Sequence, residues 1–114
     1  MSPTSPVTNI PPAITETSLK ERFERLAKDW KEQSRYLSNT AQMAMLKPYQ
    51  RIIGLGLPVV PLILTELQRE PDQWFWALEA ITEEDPVSPG SKGTVSLMAQ
   101  EWIDWGKHRG YIAK

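Results

Sequence analysis

Residues 52 to 64 read IIGLGLPVVPLIL, the longest stretch of the chain without a polar side chain. Its 13 residues contain two glycines and two prolines, whereas a membrane-crossing helix needs about 20 apolar residues in an unbroken run. The stretch therefore reads as core, and its punctuation decides how that core is built. Gly56 is well placed to end one helix in the left-handed region, which a residue without a Cβ enters at no steric cost. Pro58 can open the next helix, because the N–H that proline lacks is not needed in a first turn. Pro61 sits in that first turn or just beyond it, so the start can slip to about Val60. Val59, Val60, Ile63, Leu64 and Leu67 then form a broad apolar stripe.

Upstream, NTAQMAMLKPYQRIIGLG (39–56) contains Pro48. This predicts either a short helix from Pro48 to Leu55 or a longer, kinked one from about Thr40. Met43 and Met45 read as flexible core filler. Earlier still, Ser18 and Glu21 have capping-box spacing, and Leu19, Phe23, Leu26, Trp30 and Leu37 recur along one helical face. The other face carries Lys20, Glu21, Glu24, Arg25, Lys28, Lys31, Glu32 and Arg35, a mixture of signs that reads as solvated.

Downstream, REPD (69–72) is a short stop with Asp72 as N-cap or first-turn acid, so the helices on either side of it are expected to form a tight antiparallel pair. The fourth helix, in PDQWFWALEAIT (71–82), places three aromatic residues side by side. At about 100° per residue from Trp74, Leu78 falls at about 40°, Ile81 at about 340° and Ala77 at about 300°. Trp76 falls at about 200°, opposite that stripe, between Ala80 and Glu83. It needs a second cover. After EEDPVSPGSKG (83–93) breaks the chain, a final helix from about Thr94 presents Val95, Met98, Ala99, Trp102 and Trp105 on one side and can end at Gly110. That helix is the expected cover for Trp76, with an exposed partner-binding anchor as the alternative.

The whole has 114 residues, of which 40% are hydrophobic, enough for one domain and one core. Residues 1–17 (MSPTSPVTNIPPAITET) read as a disordered proline-rich leader and 18–114 as a single helical domain. The leader lacks the basic and apolar regions of a targeting segment, and the chain has no cysteine, so a cytoplasmic setting is expected. A formal charge of −1 supplies no field that would draw in nucleic acid or anionic lipid. Neither a nucleic-acid nor a membrane partner is expected.

No catalytic, cofactor-binding or metal-ligating set is legible. His108 is the only histidine, and with Asp104 at i−4 it offers two ligands where a metal needs more. No cofactor is expected. Ser91–Arg109 is the best stretch for a DNA-reading helix, but Gln100, Glu101 and Asp104 leave its face poorly cationic. From residue 66 to 85 there are seven acids, Glu66, Glu70, Asp72, Glu79, Glu83, Glu84 and Asp85, against one base, Arg69. Those at the end of the fourth helix oppose its dipole, so compensation by Lys92, Lys107 or Arg109 is the first expectation. A basic partner surface is the second. Candidate partner-binding residues are Trp76, Glu79, Glu83 and Glu84.

The run from Tyr49 to Thr82 resembles a HEAT-type helical repeat. The likeness lies in Gly54, Gly56, Val60, Pro61, Leu62 and Leu67, then Ala77, Leu78, Ala80 and Ile81: a glycine turn, a Val-Pro-Leu helix start, and a second helix with small residues. YQRIIGLG (49–56) and WFWALEAIT (74–82) are also similar to segments of a group of short bacterial proteins to which no activity attaches. The HEAT-like resemblance implies binding of proteins through helical surfaces, with no catalytic residues. The expectation is an all-α, compact four- or five-helix domain with a HEAT-like antiparallel helix pair. It would be a small non-enzymatic protein–protein binding module, an accessory or adaptor subunit, with a basic surface on the partner as one option. An antitoxin or transcriptional regulator that touches DNA is the alternative.

Overall fold

A computed structural model of the chain describes residues 16–114, with side chains from Ser18 onward. The proline-rich leader therefore lies, up to residue 15, outside the described residues. The first helix, α1 (Glu16–Ser34), is followed by α2 (Thr40–Met45) and α3 (Lys47–Gly54). A single 3-10 turn, Leu57–Val59, leads into α4 (Val60–Arg69). Then come α5 (Phe75–Thr82), a second 3-10 turn at Pro89–Ser91, and α6 (Val95–His108). The described residues are all-α, with no strand. They form five helices if α2 and α3 are taken as one broken helix, and six otherwise.

Pro48 causes that break. It has no N–H to donate to the carbonyl of Ala44, four residues back. Leu46 turns extended at φ −64° and ψ 143°, and the Gln50 side-chain amide takes the Ala44 carbonyl instead, at 2.7 Å. Asn39 caps α2 by accepting the Gln42 N–H at 3.0 Å. Only Ala44 of α2 is fully buried. Met43 is half-buried against the core, whereas Met45 is 57% exposed and does not fill it as expected. The extended residue after it ends the helix and leaves its last side chain facing out.

The corner at residues 55–58 follows its glycine and proline. Gly56 sits at φ 76°, in the region that favours glycine, and Pro58 lies in the 3-10 turn that it opens. The axes of α3 and the Leu57–Arg69 segment diverge there by 106°. The α-helix proper starts at Val60 with Pro61 in its first turn, and Val59, Val60, Ile63, Leu64 and Leu67 are all fully buried.

Around this stripe α3 packs mainly on α1 and α5, and α4 mainly on α6. Helix α5 also touches α4, but less extensively than it touches α3. An aromatic nucleus joins α1, α3 and the entry to α5. The Trp74 ring lies 4.5 Å from Trp30, 5.7 Å from Phe23 and 5.8 Å, stacked, from Tyr49. Trp30 donates its indole N–H to the Met43 carbonyl at 2.9 Å, locking α1 to α2. On the far side, α6 comes close to α4 at Gly106. A Cβ there would stand 2.5 Å from Leu64 Cδ1.

Two features of α1 differ from the sequence reading. The helix is described from Glu16, so Ser18 lies inside it and not ahead of its first turn. Lys31 is not on a purely solvated face: its ammonium bridges Glu66 at 2.5 Å and Glu70 at 2.6 Å, tying α1 to the end of α4. Arg69 joins at 2.6 Å from Glu66. Among the described residues no single helix is long and apolar enough to cross a membrane.

Candidate partner-binding surface

Helix α5 has no side-chain cap of its own, since Trp74 holds the N-cap position. The cap comes from α3. Tyr49 accepts the Ala77 N–H at 2.9 Å, one of the first-turn donors that a helix cannot satisfy internally, and donates its own proton to the Gln73 carbonyl at 2.9 Å. Burial, with the nearby Asp72 and Glu79 charges, pushes the Tyr49 phenol up, against the opposing effect of the Ala77 N–H. With its start pinned there, α5 buries Phe75, Ala77 and Leu78 and turns Trp76, Glu79, Ala80 and Glu83 outward.

Trp76 is 44% exposed. The last helix thus does not cover it as expected, because α6 is drawn against α4 through Gly106 and Leu64. What α6 supplies is one wall of a cavity of about 380 Å³. Trp76, Phe75 and Glu79 line it from α5, and Val95 and Met98 from the start of α6, with Gly93, Thr40 and Gln73 completing it. Trp76 and Glu79 therefore line one largely apolar hollow together.

The three acidic candidates and the neighbouring Asp85 separate into two pairs. Burial raises the Glu79 carboxyl above its ordinary range, the nearby Asp85 adds to this, and Lys92 only partly offsets them. Neither Glu79 nor Glu83 forms an ion pair with another described residue. Glu83 ends α5 in the left-handed region at φ 59°, its N–H bonded to the Glu79 carbonyl at 2.8 Å. Glu84 and Asp85 are compensated within the chain. Glu84 pairs with Arg109, Nη1 lying 2.7 Å from Oε2, and accepts the Trp105 indole N–H at 3.3 Å. The Arg109 hydrogen bonds hold the Glu84 carboxyl below its usual range. Asp85 pairs with Lys92 and accepts the Val87 N–H at 3.1 Å.

The Glu84–Arg109 pair belongs to a clasp that holds the 83–94 connection on α6. The Arg109 guanidinium lies over the Trp105 ring at 5.1 Å, and Trp105 stacks on Tyr111 at 5.3 Å. Glu101, read from the sequence as part of an exposed face, accepts the Ser88 N–H at 3.0 Å. Sequence reasoning missed this Trp–Arg–Glu arrangement as a unit. The i,i+4 spacing of Trp105 and Arg109 was its legible half; Glu84, from a different element, was not.

A second, larger groove of about 780 Å³ runs between α1 and the end of α4. Its Lys31, Glu66, Arg69 and Glu70 are already tied to one another. His108 is exposed beside Asp104, Lys107 and Lys114 on a shallow surface hollow. Among the described residues no three His, Cys, Asp or Glu side chains are placed to hold a metal ion. No known protein family, curated protein or solved structure matches the chain.

Proposed function

We propose that the chain is a small, non-enzymatic module, cytoplasmic in setting, that binds another protein through the outer face of α5 as an accessory or adaptor subunit. The observation that carries this reading is Trp76. Its 44% exposure sits beside a hollow walled by Phe75, Val95 and Met98. Tryptophan is among the residues that dominate binding energy when a partner completes their burial, and the carboxylates of Glu79 in the hollow and of the exposed Glu83, neither of them in an ion pair with a described residue, suit a basic partner. The same carboxylates would repel a phosphate backbone, which places contact with DNA second.

Wild-type protein and Trp76→Ala, immobilised side by side and exposed to an extract of the native host, provide the test. Stoichiometric retention of one protein by wild type, lost with Trp76→Ala, is the expected result. Equal retention by both would move the interface away from α5, and salt-sensitive retention of DNA in place of a protein would favour the regulator.

A further inference from the structure

The chain already builds one site for an arginine out of a tryptophan and a glutamate. Arg109 lies over the Trp105 ring at 5.1 Å, and its guanidinium bridges to Glu84. The geometry suits a planar cation, which stacks on an indole face while its edge meets a carboxylate. On α5 the first and last members of that set recur without the middle one. Trp76 and Glu79 are three residues apart on one helix, both line the same hollow, and Glu79 has no ion-pair partner among the described residues.

We infer that the hollow beside α5 receives an arginine side chain of the protein partner, stacked on the Trp76 indole with its guanidinium against the Glu79 carboxylate. This rests on the docking reading above and names the chemistry of what docks. The remaining walls fit the same occupant. Phe75, Val95 and Met98 offer apolar contact to the methylene stem of an arginine, and Lys92, whose charge acts on Glu79, is held by Asp85. Partial burial beside the Asp85 charge also makes Glu79 hold its proton more tightly than an ordinary glutamate, a condition that a docked guanidinium would relieve.

The test titrates isotope-labelled full-length chain with an oligoarginine peptide and with the matching oligocitrulline, which keeps the shape of arginine but not its charge. The readout is the Trp76 indole N–H resonance, identified by its loss in Trp76→Leu. A saturable shift of that resonance is expected with oligoarginine. Affinity should drop about fivefold or more with oligocitrulline, and by a similar factor for Glu79→Gln, whose exposed side chain leaves the fold intact. Trp76→Leu, which keeps apolar bulk but loses the ring, should weaken oligoarginine binding by as much, followed on Val95 and Met98. Equal shifts with both peptides would overturn the arginine assignment while leaving a docking face at Trp76. Oligoarginine shifts that avoid Trp76 or ignore Glu79→Gln would overturn it as well. If in addition Trp76→Ala retains its partner, the docking reading falls too.

Discussion

Tyr49 is fully buried, yet its hydroxyl carries two hydrogen bonds and starts a helix to which it does not belong. Tyr49→Phe keeps the ring in the aromatic nucleus and leaves the Ala77 N–H and the Gln73 carbonyl without their partner. A urea melt should show a loss of about 1–3 kcal/mol; an unchanged midpoint would mean that these groups find other partners. Trp74 and Trp76 provide a paired comparison. Trp74→Ala empties the centre of the nucleus and should cost about 3–5 kcal/mol, whereas Trp76→Ala should cost about 1 kcal/mol or less. Similar losses in the two melts would show that Trp76 is structural. That Trp76 stands opposite the buried stripe was legible, because the period of a helix assigns faces. How much of it stays exposed was not, because that depends on where α6 lands. Tyr49 was equally opaque: the sequence marks it as an aromatic residue after a proline, and nothing local says that its oxygen reaches α5.

Element by element, the starts and stops were the most legible part, since Pro48, Gly56, Pro58 and Pro61 act through backbone chemistry that needs no tertiary context. Pairing was less so. The short REPD connection predicts that α4 and α5 form a tight antiparallel pair; they do touch, but the 106° corner at Gly56 turns α4 away from α3 and toward α6, while α5 settles chiefly on α3. Gly106 sets the α4–α6 approach. Gly106→Ala would improve helix propensity by about 1 kcal/mol, but its methyl group would stand 2.5 Å from Cδ1 of the fully buried Leu64, which must shift to make room. A net destabilisation of about 1–2 kcal/mol is expected. In a double-mutant cycle the Leu64→Ala background should cancel most of the clash. A stabilised single mutant would show that α6 can slide on α4.

For the molecule as a whole, the bridge of Lys31 to Glu66 and Glu70 joins helices far apart in sequence and makes stability depend on pH at both ends. Burial pushes Glu66 up, but the hydrogen bonds from Arg69 and Lys31 outweigh it and hold the carboxyl below its usual value of 4.5. Its contribution is therefore complete above that value and is lost as pH falls through the lowered one. Burial likewise works against the charge on Lys31, yet its two carboxylate partners leave it above 10.5, so its share is complete below that value and fades as pH rises through the raised one. Denaturant midpoints should fall between about pH 5 and 3 more steeply for wild type than for Glu66→Gln; identical slopes would remove Glu66 from the account. The Tyr49 bond also bears on how the molecule opens. Helix α5 has 8 residues, too few to persist alone, and its third amide is held by a hydroxyl 28 positions earlier in the chain. Local fraying cannot release that proton unless α3 also withdraws. In hydrogen–deuterium exchange, Ala77 should therefore belong with the slowest amides and track global unfolding, an inversion of the usual order in which the first turn of a short helix exchanges early.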